Sequence, residues 1–189
     1  MPRIVRKETA NAKPFYTRWT YRKALPLLLK DFEERCAYTR IHSKSLGGGR
    51  QLHVDHFNPK LKSKSPYENL FPAYGPCNKA KGESWPVKSQ LDKGLRFLNP
   101  CEEDDYGVQI FEDPDTHKLV PANQAASYHI DTLDLDCALE QRKQRALIQR
   151  ILDSGIVKDP KMKADIEETL KISIPPIPPP PAGFSYQIV

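Results

Sequence analysis

The chain has no run approaching the roughly 18 consecutive apolar residues that span a bilayer, which excludes a helical membrane protein. Its N-terminus, MPRIVRKETANAKPF, lacks the apolar stretch and small-residue cleavage site of a secretory signal. It has only four cysteines in 189 residues, and a chain of that length buries a core without disulfides. These absences predict a cytoplasmic protein with reduced thiols. No internal repeat is visible, and low complexity is confined to one tail. What is present is ordinary globular material, 39% hydrophobic and 28% charged, which excludes an intrinsically disordered chain.

The net charge of +5 hides an asymmetry. Residues 1–98 carry 20 Lys and Arg against 8 Asp and Glu, whereas residues 99–189 carry 9 against 16. A basic first half points to a polyanionic partner such as nucleic acid. Proline is uneven too: 6 of 18 lie in IPPIPPPPAGF, residues 174–184. That segment can form neither helix nor sheet ladder, and should be extended polyproline II, loose or laid along a surface.

Residues 20–35 read as a helix, with Leu25, Leu28, Leu29 and Phe32 at spacings of three and four, Thr20 as N-cap and Pro26 in the first turns. Two strand-like runs then flank a Ser/Gly-rich connection, residues 43–49, which predicts a long-looped hairpin. Residues 59–77 read as irregular loop, with a short helix from Cys77 or Asn78. Tyr106–Glu112 and His117–Val120 predict a second strand pair around a Pro-Asp turn. Residues 133–153 give the strongest helix, with Arg142, Lys143, Arg145 and Arg150 on a basic side that could reach phosphate or acidic residues of a partner. Another helix is expected over 160–171. The fold class is α+β.

The chemistry concentrates between Cys36 and Gly82. Asp55-His56 stands at a strand end, Asn69 follows the histidine by 13 positions, and Asn78 comes nine later, ahead of Lys79-Ala80-Lys81-Gly82. A carboxylate beside a histidine offers a cation ligand next to a general base. An aspartate and an asparagine oxygen suit a hard cation that keeps several waters, Mg²⁺ or Mn²⁺. A neutral imidazole near pH 7 can take a proton from water. His53 lies on the face of Asp55, as a further ligand or, more simply, a structural hydrogen-bonding group.

This ordered set resembles the HNH endonuclease family, whose ββα-metal core is a hairpin followed by a helix. The resemblance implies Asp55 and Asn78 as ligands of one divalent cation, His56 as the general base and Asn69 as the brace of the catalytic loop. It also implies DNA as substrate, with Lys60, Lys79 and Lys81 able to meet its phosphates. Many family members clamp a structural zinc with two Cys-x-x-Cys pairs. Here Cys36 and Cys77 supply one member of each, with Thr39 and Tyr74 in the other places, so structural zinc is not expected. Cys101 and Cys137 read as core, and His42, His117 and His129 as surface or loop residues.

Further on, Leu98-Asn99-Pro100-Cys101-Glu102-Glu103-Asp104, a strand pair, Asp131-Thr132-Leu133-Asp134-Leu135 and the basic helix are similar to the HNH proteins of Septu-type and retron-associated anti-phage systems. The resemblance implies a defence role beside an ATPase partner. The resemblance covers roughly residues 33–150, and the chain as a whole divides into a basic arm (1–19), a nuclease core (20–98), an accessory, partner-docking region with the basic helix (99–171) and a proline-rich tail (172–189) that does not map onto the family. A stand-alone nicking or restriction-type nuclease and an inactive binding module are the competing readings.

Overall fold

The structure is a computed structural model that describes residues 2–17 and 19–185, with only the backbone at positions 10 and 49. Arg18 of the basic arm and residues 186–189 of the tail lie outside the described residues. No helix among them is long and apolar enough to cross a membrane. Among the described residues the fold mixes helices with three separate antiparallel strand pairs, so the α+β expectation holds at that level.

A short strand β1 (Phe15–Tyr16) leads through a 3-10 turn at Tyr21–Ala24 into α1 (Leu25–Asp31). Pro26 sits in the first turn, where its missing N–H is not needed. The helix is shorter than expected at both ends. The Thr20 hydroxyl accepts the Thr17 N–H at 2.9 Å instead of capping. Glu33 and Glu34 both take left-handed backbone angles, φ 51° and 56°, which turns the chain out of the helix.

The hairpin expected around residues 43–49 does not form. Residues 43–46 are a 3-10 turn, and the first strand-like run makes only an isolated bridge, Arg35 to His42. The partner of β2 (Leu52–His56) comes later in the chain. After β3 (Ser65–Pro66), which pairs with β1, the segment predicted as loop supplies β4 (Leu70–Tyr74). β2 and β4 pair antiparallel from Leu52↔Tyr74 to His56↔Leu70. Helix α2 (Gly75–Lys81) follows β4 without a gap. Local pattern could not reveal β4, because Pro72 and Asn69 read as loop residues while burial of Leu70, Phe71 and Ala73 decides the strand.

The rest packs on this unit. A short α3 (Lys88–Leu91) precedes β5 (Ile110–Glu112), which pairs with β6 (Leu119–Pro121). Helix α4 (Gln124–Leu133), capped by the Asn123 side chain, was not visible in the sequence. Its inner positions Ala125, Ala126, His129, Ile130 and Leu133 have helical spacing, but two are alanines and one a histidine. The long helix predicted from residue 133 breaks at Asp134, φ 48°, and restarts as α5 (Leu139–Asp153). Helix α6 (Pro160–Lys171) lies where expected.

One apolar cluster joins Tyr16, Leu28, Phe32, Phe71, Leu98, Ile110 and Leu133, crossing the position where the charge changes sign. The acidic region closes on the basic one. Asp105 pairs with Arg40 at 2.7 Å, Glu103 with Arg96 at 2.5 Å, and Asp104 accepts the Arg3 N–H at 2.8 Å. Arg142 is fully buried rather than phosphate-facing, donating to the carbonyls of His117 and Leu135 and to Asp136. The proline-rich tail lies along the body: Ile174 and Ile177 are buried, and the Pro178 carbonyl accepts the Glu112 N–H at 3.1 Å.

The N-terminal arm is pinned by Arg6. Its guanidinium donates to the carbonyls of Tyr67, Glu68 and Leu70 at 2.8–3.1 Å and lies over the rings of Phe32, Tyr67 and Phe71. Arg6→Ala is expected to cost about 2–3 kcal/mol, from lost charge-assisted hydrogen bonds and ring contacts. Amide exchange should quicken at residues 67–70 in particular; unchanged exchange there would show that the arm does not hold this segment.

Candidate active site

The site forms where β2 ends, and each chemical group reaches it from a different element. Asp55 and His56 are the last two residues of β2, so their side chains leave opposite faces of the strand. Both are buried, at 4% and 6% exposure.

Asp55 sits in a nest of donors. The Tyr38 hydroxyl donates to its Oδ2 at 2.5 Å. The Lys81 ammonium lies 3.1 Å from Oδ1 and 3.0 Å from Oδ2, and donates to the His56 carbonyl at 2.6 Å. Burial lowers the Lys81 pKa, opposed by the charge of Asp55. Burial, the Asp55 charge and this hydrogen bond together push the Tyr38 phenol well above its usual value. Tyr38 therefore stays protonated and donates.

Lys81 thus differs from its sequence reading. Its side chain is wholly buried and balances Asp55, so it is not a surface contact for phosphate. Lys60 and Lys79 are exposed, as that role requires. Lys62, which the sequence reading passed over, lines the site and pairs with Glu83 at 2.6 Å.

His56 is held through Ser65. The Ser65 hydroxyl donates its one proton to the Lys62 carbonyl at 3.0 Å. With the proton placed there, its oxygen, 2.8 Å from His56 Nε2, accepts from the ring, which assigns the imidazole proton to Nε2 and the lone pair to Nδ1. The Tyr21 ring packs 4.6 Å from the imidazole. Burial lowers the His56 pKa, against the pull of Asp55 and with help from Lys62 and Lys81, so the ring is neutral at pH 7.

Asn69 is a two-point brace. Its Oδ1 accepts the Asn58 N–H at 2.8 Å and its Nδ2 donates to the Asn58 carbonyl at 3.0 Å. It clamps the chain just beyond His56. Asn78, half-buried on α2, shares with Asp55, His56, Tyr21, Lys62 and Gly82 an open cavity of about 190 Å³. His53 is exposed and packs against Gly75 at the start of α2.

Asp55 and Asn78 are the pair that could hold a cation. A carboxylate offers about four acceptor positions. Tyr38 takes one and the two Lys81 contacts take two more, leaving one free. One carboxylate oxygen and one amide oxygen fit a hydrated Mg²⁺ or Mn²⁺ whose other ligands are water and phosphate. Among the described residues no three His, Cys, Asp or Glu side chains form a metal-holding group.

The cysteines also rearrange. Cys137, read as an unpartnered core residue, lies with its sulfur 3.4 Å from that of Cys77. The Cys36 sulfur accepts the N–H groups of Thr39 at 3.4 Å and Tyr74 at 3.2 Å. Burial raises the Cys36 thiol, but hydrogen bonds from Cys77 and these groups outweigh it and bring its pKa to about 6. Cys101 is half-buried against the core. His117 and His129 are buried rather than superficial: His117 bonds Glu112 at 2.8 Å, and His129 is 2% exposed. His42 caps a 3-10 turn, accepting the Lys44 N–H.

Tyr38, Ser65 and Tyr21 had no sequence signal. They stand 17, 9 and 35 positions from their partners Asp55, His56 and His56, too far along the chain for local pattern to link them. Comparison of the chain with protein-family models, with curated proteins and with solved structures returns no match.

Proposed function

We propose that the chain is a divalent-cation-dependent endonuclease of the HNH type, hydrolysing phosphodiester bonds in DNA. The observation that carries this reading is the His56 relay. A buried neutral imidazole, held through Nε2 by Ser65, lines an open cavity with Asp55 and Asn78, and the hydrogen-bond pattern assigns its free lone pair to Nδ1.

Nδ1 accepts a proton from the attacking water as its oxygen bonds to phosphorus. The bond from phosphorus to the 3′ oxygen breaks, leaving a 5′ phosphate and a 3′ oxyanion that takes a proton from solvent water to become the 3′ hydroxyl. Asn69 keeps the segment after His56 from moving, so the base holds its position. Lys81 and Tyr38 fix the Asp55 carboxylate. Asp55 and Asn78 would hold a cation, which when bound supplies charge stabilisation at the scissile phosphate. By resemblance, the proposal extends to the nuclease of an anti-phage system working beside an ATPase. Co-purification of such a partner from the native host supports that extension, and a chain that cleaves at full rate alone and binds no ATPase opposes it.

Plasmid DNA with Mg²⁺ or Mn²⁺ tests the chemistry. Cleavage by the wild type should fall by about 10²–10⁴-fold in His56→Ala, the usual range for loss of a general base. Ser65→Ala should fall between the two, because the ring keeps its position against Tyr21 but loses its tautomer bias. Equal cutting by wild type and His56→Ala would refute the assignment.

A further inference from the structure

We propose that a second phosphate-binding subsite, made by Arg22 and His53, adjoins the candidate active site and takes a backbone phosphate of the same DNA strand, next to the one that is cut. This rests on the phosphodiesterase reading above and adds a substrate contact to it.

The subsite is a cavity of about 160 Å³ lined by Arg22 and His53 together with Tyr21, Val54 and Asn78. The last three also line the cavity of Asp55 and His56, so the two spaces share a wall. Tyr21 stands at the junction. Its ring centre lies 4.6 Å from that of His56, and the Arg22 guanidinium lies 5.6 Å from the centre of the same Tyr21 ring. Taken end to end, these two separations keep the guanidinium within about 10 Å of the imidazole. Tyr21 and Arg22 both belong to the 3-10 turn Tyr21–Ala24, so one short turn carries the ring that touches the base and the cation beyond it. His53 comes from β2, two residues before Asp55, and packs against Gly75.

The lining favours an anion. Among the described residues no carboxylate lines this second cavity, and Arg22 and His53 are both exposed, so their donors are open to a ligand. Contact with the Tyr21 ring restrains the Arg22 guanidinium, whose planar fork presents paired N–H groups to phosphate oxygens. A lone phosphate would need only one of the two spaces. A nucleic-acid strand carries phosphates in regular succession, and can place one at Asp55 and Asn78 while a neighbour meets Arg22 and His53. Such contacts hold the strand in register and read no base.

Binding of the full chain to a labelled DNA duplex, in EDTA so that a cation-dependent enzyme does not cut, tests the proposal over a series of salt concentrations. Arg22→Ala should weaken binding by about tenfold, the scale of one charge-assisted hydrogen-bonded contact. The slope of log affinity against log salt should become shallower by about 0.9, the signature of one lost phosphate contact on a duplex. Arg22→Lys should keep the slope and most of the affinity. His53→Ala should lose about threefold, the scale of one neutral hydrogen bond. Lys23→Ala removes the same charge one residue along, from an exposed side chain that lines neither cavity, and should lose about twofold or less. Parent-like binding by Arg22→Ala or His53→Ala overturns the proposal. So does an Arg22→Ala loss with unchanged slope, or a Lys23→Ala loss as large as that of Arg22→Ala. If the wild type nevertheless cuts DNA in Mg²⁺ or Mn²⁺, the hydrolytic reading stands without the subsite. Arg22-dependent binding with the predicted slope, but no cleavage by the wild type, supports the subsite and removes the hydrolytic reading instead.

Discussion

Lys81→Met is expected to destabilise the folded chain by about 3–5 kcal/mol, the cost of removing one partner from a buried ion pair. The Lys81 side chain is fully enclosed, and its ammonium touches both Asp55 oxygens and the His56 carbonyl. Methionine fills nearly the same volume, so packing changes little, but Asp55 is left as a buried carboxylate answered only by Tyr38. Urea unfolding measures the loss. Adding Asp55→Asn to Lys81→Met should recover part of it, because the stranded charge disappears with its partner. Mg²⁺ should stabilise Lys81→Met more than the wild type, since a cation then meets Asp55 without a competing ammonium. A loss under about 1 kcal/mol would mean that water reaches Asp55 and that the pair is not buried in solution.

Acid should weaken the fold strongly, through His129. Its ring is enclosed between Tyr38 and Phe97, and its Nδ1 accepts the Leu98 N–H at 3.1 Å. Burial holds its pKa at about 3, with Arg40, Arg96 and Lys81 also disfavouring a second proton against the opposing pull of Glu103. The unfolded chain titrates this group near 6.5 or so. Between those values the unfolded state binds a proton that the folded state refuses, so stability falls as pH falls. The slope is about 1.4 kcal/mol per pH unit, or about 2 kcal/mol between pH 6.5 and 5. Glu103 acts in the same direction lower down. Burial opposes its ionisation, but Arg96, Gln109 and the Asn99 N–H prevail and hold it at about 2, so its contribution is present above the ordinary carboxylate range and is lost as pH falls toward 2. Urea unfolding at pH 7 and pH 5 gives the slope. His42 and His56 are lowered too, so His129→Asn, which keeps an acceptor for Leu98, isolates the share of His129. A wild type equally stable at both values would refute this account.

Both predictions turn on groups whose environment the sequence misplaced. Lys81 reads as one of three phosphate-facing lysines and His129 as a surface residue, because a charged or polar residue is exposed by default. Nothing within a few positions of either announces a buried partner. Asp55 is 26 residues from Lys81, and Leu98 is 31 from His129. The strand pair failed for a related reason. The Ser/Gly-rich segment at 43–49 has turn composition, yet β2 pairs with β4 across 13 intervening residues that include Pro59, Pro66 and Asn69.

The sequence by itself determined the order of the chemical groups: an acid and a histidine at a strand end, a bracing asparagine, and a second asparagine on the helix that follows. That order is legible because strand ends, prolines and short helices are set by neighbours in the chain. It also determined the charge division, although not its use, since Arg40 and Arg96 pair with the chain's own carboxylates Asp105 and Glu103. Only the tertiary structure decided which side chains became counter-ions and which stayed in water. It brought Tyr38, Ser65, Lys81 and Tyr21 to Asp55 and His56. The physical reason is that a group's protonation and partners depend on burial and on contacts between distant segments, which packing of the whole core sets and local pattern does not carry.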